Sequence, residues 1–178
     1  MFKKVYISRA RQLFLTIVLS TLAIGLATVA EAGEKKKFNY TKKGPRITVV
    51  ETKMAAVGAP ERELVQGVYI DSCKSSDPEF DGMKEYIFNQ DENGVGGIGM
   101  HRGYTIDELK NGDKIFQRYE GTHKLVVKDG GAWEVTWQGK AEIIGGTGKY
   151  KNARGQLKYK GGMTADGVTE EDIGEFEY

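Results

Sequence analysis

The side chains of this sequence that could do chemistry are few and widely separated. His101 and His123 are the only histidines, and Cys73 is the only cysteine. Neither histidine has a partner at the spacing of a zinc site, so the sequence predicts no metal and no cofactor. We expect a structural role for each histidine. His123 and Tyr119 are the candidates for catalysis, because strand phase predicts their burial side by side and burial shifts the pKa of an imidazole.

Two glycine-rich segments look like phosphate-binding loops, but both fail the motif. Residues 94–99 fit G-x-G-x-x-G, yet a strand-like segment follows where a dinucleotide fingerprint needs a helix. The second segment, residues 145–149, contains the Gly-Lys pair of a P-loop. However, Ile143 occupies the position of the first glycine of that motif, and Tyr150 replaces the Ser or Thr that holds magnesium. No G-x-S-x-G nucleophile motif occurs. The acids scattered along the strands predict no paired-carboxylate hydrolase. They include Glu85, Glu120, Glu134 and Glu142.

Alternating strands must position the candidate residues. The longest strand candidate, residues 114–128, carries on one face Ile115, Gln117, Tyr119, Gly121, His123, Leu125 and Val127. The next strand candidate, residues 132–144, adds Trp133 and Trp137 on the same side. We predict this face as the interior. It fits a ligand-binding lumen lined by Gln117, Tyr119, His123, Trp133 and Trp137, or a solid core, and we favour the filled core.

The remaining pattern is also that of an all-β protein. Further strands are predicted at 46–54, 63–71, 84–90, 95–104, 150–160 and 174–178, with a polar loop at 71–83, one helical turn at 106–110 and a sharp corner at 145–148. No stretch longer than about ten residues has helical periodicity. The 24 glycines and the short spacing of strands favour a single antiparallel closed β-barrel of about eight strands over an open sheet.

Residues 1–32 have the organisation of a cleavable signal peptide. A basic start precedes the apolar run 13–29, and Ala30 and Ala32 place small residues before a cleavage point at Gly33. The segment predicts export to the periplasm or the outside of the cell, with no stable membrane insertion after cleavage. An uncleaved membrane anchor is the open alternative.

The rest of the chain is predicted to contain a tail and one domain. Residues 33–45 are polar and basic and end in Gly44-Pro45, so we expect a flexible N-terminal tail. Residues 46–178 are long enough to bury one core. The signal segment holds four of the 26 basic residues and one of the 25 acidic ones, so the remainder is slightly acidic. This balance argues against nucleic acid as a partner.

One stretch resembles a known superfamily. Residues 142–150 together with Ala153-Arg154-Gly155 resemble the GGTGxF…ARG signature of plant dirigent proteins and allene oxide cyclase barrels. Residues 113–121 with Trp137 are similar to bacterial members. The resemblance implies an eight-stranded barrel, often trimeric, with a cavity for small hydrophobic molecules. It also makes Arg154 a ligand-binding candidate, although strand phase turns Arg154 outward unless a bulge intervenes.

These expectations combine into two hypotheses about function. The first is an exported, non-catalytic barrel that binds a small hydrophobic molecule or serves as an interaction module, as a monomer or as a homo-oligomer such as a trimer. The second is a cyclase or isomerase of the allene oxide cyclase type, acting on an unsaturated lipid-derived or phenolic substrate with His123 and Tyr119 in the lumen.

Overall fold

The computed structural model describes residues 35–56 and 59–178, and this part of the chain forms nine strands. The strands are β1 Lys35–Gly44, β2 Ile47–Ala56, β3 Ala59–Lys74, β4 Lys84–Asn93, β5 Ile98–Glu108, β6 Lys114–Val127, β7 Trp133–Gly146, β8 Arg154–Thr164 and β9 Gly167–Glu177. The predicted signal peptide, residues 1–32, lies outside the described residues. Within those residues no helix is long and apolar enough to cross a membrane.

The strands form one antiparallel sheet that closes on itself. Its order is β1-β9-β8-β7-β6-β5-β4-β3-β2, and β1 also pairs with β3. The closing contact is short, because it joins only Thr41 to Lys74 and Lys42 to Cys73. Eight strands therefore form a ring, and β2 continues beyond it along the first part of β3. The prediction of an all-β, antiparallel, closed fold is confirmed.

The predicted flexible tail is wrong for residues 35–44, which form β1. This strand pairs along its whole length with β9. Phe38, Tyr40 and Lys42 point into the core on one face, while Lys37 on the other face lies opposite Glu175. The lysine cluster suggested a solvated arm. Its alternation with aromatic residues places the lysines and the aromatics on different faces of a strand, and opposite charges on β9 support the outer face.

Several observed element boundaries also differ from the predicted ones. The helical turn expected at 106–110 belongs largely to β5, where Ile106 pairs with Phe116 of β6. The loop expected at 71–83 is shorter, because β3 continues to Lys74. β8 begins at Arg154, not at residue 150, because residues 148–150 form a 3-10 turn. Gly148 starts this turn at a φ of +55°, and an added Cβ there would overlap the Asp113 carboxylate.

One end of the interior is a solid aromatic core. Phe38 contacts Phe80 edge-on with ring centroids 4.7 Å apart, and Phe176 closes the group. Phe38, Phe80 and Tyr150 are fully buried. The apolar side chains that complete this end are Met83, Ile115, Ile143 and Leu157. The prediction of a filled core therefore fits this end of the ring, and the polar interior groups lie farther along the strands.

Candidate functional site

The predicted inner face of β6 is confirmed up to His123. Ile115, Gln117, Tyr119 and His123 are buried. The prediction is wrong beyond that point, where Leu125 and its neighbours on β6 are exposed. The reason is that β6 and β7 extend past the pairing between β7 and β8, which ends at Val135 and Met163. Within the described strands, β8 therefore does not cover their last residues.

The two histidines of this chain lie together on the inner face. His101 of β5 and His123 of β6 are both buried, and their rings stack with centroids 5.7 Å apart. Tyr119 and Tyr159 lie beside His101, with ring centroids 6.0 and 5.7 Å from it. Asp91 of β4 is directly opposite His101 in the sheet. We call these five residues the histidine layer.

Hydrogen bonds hold the side chains of the histidine layer. The Nε2 atom of His101 is 2.7 Å from the Tyr159 hydroxyl, and the Nε2 atom of His123 is 2.6 Å from Asn93 Oδ1. The Tyr119 hydroxyl donates to Asn89 Oδ1 at 2.5 Å. Each ring is therefore fixed by a partner on another strand, which leaves the Nδ1 atom of each histidine for other contacts.

Burial controls the protonation of this layer. It lowers the pKa of His101 to about 4, and the neighbouring His123 adds to the shift. Burial also lowers the pKa of His123, against the opposing effect of Asp91. Both imidazoles are therefore neutral at pH 7. Burial raises the pKa of the Tyr119 hydroxyl well above its usual value, so Tyr119 is not poised to act as a base.

The other predicted ligand-binding residues do not share one site. Gln117 is buried deeper and donates to Asp107. Trp137 is partly buried and its indole N–H donates to Glu170, whereas Trp133 is 37% exposed near the strand end. Arg154 is exposed, in agreement with its strand phase. Of these four residues, Trp137 is therefore the one placed to line a site in the lumen, because it pairs with His123 across the strands.

Arg154 has a structural task at the corner between β7 and β8. Its guanidinium donates to the carbonyl of Ile144 at 2.6 Å and to that of Ala153 at the same distance. Ile144 is the extra residue at an irregularity of β7, since Phe116 pairs with Gly145 but the next residue of β6 pairs with Ile143. The bulge therefore does not turn Arg154 inward, and Arg154 ties the bulge to the corner.

A buried ionic network was missed by the sequence analysis. The ammonium group of Lys42 contacts Glu85 and Glu170, and it lies 3.6 Å from Asp172. All four side chains are buried. Burial alone would lower the pKa of Lys42, but the three carboxylates raise it well above its usual value. Burial raises the pKa of both Glu85 and Asp172, against the opposing charge of Lys42.

Glu170 differs from the other two acids of this network in the direction of its pKa shift. Burial opposes ionisation of Glu170, but Lys42 and the indole of Trp137 lower its pKa overall. Lys42 therefore favours the anionic form of Glu170, with which it forms a buried ion pair. The missed signal was strand phase, because Lys42 follows Phe38 and Tyr40 on one face of β1.

The cavity that stands out lies on the outer face of the sheet. It is a groove of about 1080 Å³ that crosses the strands. Its floor follows one cross-strand row, in which each residue pairs with the next. The row runs Val50, Val68, Phe88, Tyr104, Arg118 and Glu142. We call this set the outer row.

The outer row changes character along its length. Its first four residues are apolar or aromatic, and Val50, Phe88 and Tyr104 are exposed. Its last two form an exposed ion pair, with 2.6 Å between Arg118 and Glu142. The groove thus offers an apolar wall about 14 Å long across four strands, followed by charged groups. This pattern suits a molecule with an apolar body and a polar end.

Comparisons with known proteins add little to this geometry. No protein-family profile matches the chain, and no curated protein matches it. Among solved structures, a pterocarpan synthase dirigent protein matches with 17% sequence identity and a TM-score of 0.46, over 84% of this chain and 88% of that one. A structural similarity at this identity and TM-score is too weak to assign a function or a superfamily. The superfamily resemblance therefore stays an expectation, and function has to be inferred from this chain's own residues.

Proposed function

We propose that this protein is a non-catalytic binding protein that holds a small, partly apolar molecule in the groove on its outer face. The observation that carries the proposal is the outer row, in which exposed Phe88 and Tyr104 continue into the Arg118–Glu142 ion pair. Burying an aromatic side chain against a ligand supplies about 1.5–3 kcal/mol. The charged end supplies orientation, because a ligand anion can compete with Glu142 for the guanidinium.

The interior is the weaker location for this ligand. Its aromatic end is fully packed, and many of its polar side chains contact one another in the Lys42 network and the histidine layer. A ligand entering there would have to displace these contacts. The groove requires no such displacement, and its volume is close to that of small-molecule sites.

The test is a titration with 1-anilinonaphthalene-8-sulfonate, whose aromatic rings and sulfonate match the two parts of the groove. We expect saturable binding with one probe per chain. Phe88→Ser should weaken it about tenfold, equivalent to about 1.4 kcal/mol. Ile173→Ser is the matched control, because Ile173 is similarly exposed at 50% but lies on β9, outside the groove.

Two results would contradict this proposal. If the Phe88 and Ile173 variants lost affinity equally, the probe would be reporting general surface apolarity. If the Phe88 variant bound normally while a substitution of Trp137 abolished binding, the ligand site would lie in the interior.

Export is a further part of the proposed function and is supported by the sequence of residues 1–32. Expression of the full chain in a bacterium should yield a mature protein that begins at Gly33. N-terminal sequencing of the purified protein tests this. A mature protein that retains the apolar run 13–29 would favour the membrane-anchor alternative.

Self-association is a second candidate role, and the free edge of β2 favours it. Among the described residues β2 pairs only with β3, and Ile47, Val49 and Met54 on it are exposed. A second copy of this chain could cover the apolar residues and pair with the edge. The predicted trimer would be one form of this assembly.

The cyclase or isomerase hypothesis has one supporting observation. The structure brings His123 and Tyr119, its two candidate residues, into one buried layer. Turnover of an unsaturated lipid epoxide that is lost in a folded His123→Ala variant would support it. Absence of turnover in the unmodified protein would reject it for this class of substrate.

A further inference from the structure

The histidine layer contains groups that the proposed groove does not use. Asp91, His101 and His123 each offer one ligand atom, and these atoms lie within 4.8 Å of one another. We propose that the three residues bind a divalent transition-metal ion, with Zn²⁺ as the representative ion. The site is separate from the outer groove, because its residues point to the opposite face of the sheet.

The three ligands come from three neighbouring strands. Asp91 of β4 is opposite His101 of β5, and His123 of β6 is opposite Gly99, two residues before His101. The Nδ1 atom of His123 is 4.0 Å from Asp91 Oδ1. Two ligand atoms on one tetrahedral Zn²⁺ lie about 3.3 Å apart, given metal–ligand distances of about 2.0–2.1 Å. Binding the ion therefore requires these two atoms to move about 0.7 Å closer together.

Glycines provide the space for the two imidazoles. Gly99 lies opposite His123, and Gly121 lies opposite His101. An added Cβ at Gly99 would overlap the His123 ring, and one at Gly121 would lie 2.6 Å from Nε2 of His101. Any other residue at either position would push an imidazole away. The pair of glycines therefore permits two rings to lie side by side in a sheet interior.

The contacts around the rings are those of metal ligands. A ligating histidine usually uses its second ring nitrogen for a hydrogen bond that fixes its orientation. Here the Nε2 atoms contact Tyr159 and Asn93, so the Nδ1 atoms remain for the ion.

The ligand set also indicates the class of ion. Two imidazoles and one carboxylate suit Zn²⁺ and neighbouring transition metals and are a poor set for Ca²⁺ or Mg²⁺, which prefer oxygen ligands. Three protein ligands leave a fourth position for water or a small anion. Arg46 acts against the ion through its charge, but it is paired with Asp71 at 2.6 Å.

The first experiment is calorimetric titration of Zn²⁺ into the purified protein, freed of metal by a chelator and carrying no affinity tag. We expect one Zn²⁺ per chain with micromolar or tighter affinity. Mg²⁺ at the same concentrations should not bind. Absence of saturable Zn²⁺ binding would overturn the proposal.

Variants then locate the ion. Asp91→Asn keeps the shape of the side chain and should weaken Zn²⁺ binding by more than about tenfold, because even losing a ligand's hydrogen-bond partner costs about 10–100-fold. His123→Gln should do the same. Glu92→Gln is the control, because Glu92 is the next acid on β4 but points to the outer face. Equal affinity in all variants would place the ion elsewhere and overturn the assignment.

A fluorescence measurement distinguishes the loss of metal binding from the misfolding of a variant. Trp137 is the cross-strand neighbour of His123. In a Trp133→Phe protein, Co²⁺ should quench the remaining indole with the same affinity as in direct titration, and Zn²⁺ should reverse the quenching. The Asp91→Asn form of this protein should keep its unquenched spectrum, showing an intact fold, but lose the response to Co²⁺. A response that survives the substitution would overturn the proposal.

Discussion

At the scale of single residues, the interior of this protein depends on how a few buried charges are compensated. Among the residues that the structure describes, Lys42 is the one cation in contact with Glu85, Glu170 and Asp172. Removing one partner of a buried ion pair costs about 3–5 kcal/mol, because the remaining charge has no solvent to replace the partner. We therefore expect Lys42→Met to lower the free energy of unfolding by about that amount at pH 7, as measured by urea denaturation.

An exposed lysine next to Lys42 provides the control for this prediction, and the pKa of Glu170 provides its pH dependence. Lys43→Met, at an exposed position, should change stability by less than about 0.5 kcal/mol. Lys42 lowers the pKa of Glu170 in the folded state, so the stability from this pair is lost as the pH falls. The difference between the Lys42 variant and the unmodified protein should therefore shrink in acid. A constant difference would contradict the account.

His101 supplies a second residue-scale prediction. Its pKa falls from 6.5 to about 4 on folding, so between these values the unfolded chain takes up a proton that the folded chain does not. Stability from neutral His101 is complete above pH 6.5 and is lost as the pH falls towards 4. His101→Gln should flatten this dependence by up to about 1.4 kcal/mol per pH unit. Urea midpoints at pH 7.5 and 5, with a chelator present, test this; parallel curves would contradict it.

At the scale of elements, β1 decides whether the ring is complete. Phe38 on this strand is fully buried among Phe80, Tyr40 and Phe176. Phe38→Ala should cost about 3–5 kcal/mol in the free energy of unfolding. The exposed neighbour Lys37, changed to Ala, should have little effect. Equal stability of the two variants would mean that residues 35–44 are the flexible tail that their composition suggests.

The contrast between β1 and β6 shows what the sequence can and cannot predict. β6 is correctly located because its apolar and polar residues alternate over many positions, and this also predicts the burial of Gln117, Tyr119 and His123. β1 is missed because its lysines suggested an exposed segment, although one of them, Lys42, points inward. The grouping of Asp91 with the two histidines is missed because it depends on the register between three strands, which no local spacing contains.

At the scale of the whole molecule, the proposed self-association depends on the exposed edge of β2. If copies of the chain meet at this edge, Met54→Lys should reduce the mass seen in sedimentation, because a charge on an edge strand opposes pairing. Thr136→Lys, an exposed change on the central strand β7, should leave the mass unchanged. Met54 lies outside the groove, so probe binding should persist in the Met54 variant. A protein that is monomeric at all concentrations would exclude this role.

The short closing contact between β1 and β3 gives the molecule a built-in reporter. Cys73, the sole thiol, is buried at this seam and faces Lys42 across it. Burial also raises the pKa of the thiol, so it reacts slowly while the seam is shut. The rate of alkylation of Cys73 should therefore report how often β1 and β3 separate at this contact. We expect it to rise in Phe38→Ala more than global unfolding alone explains.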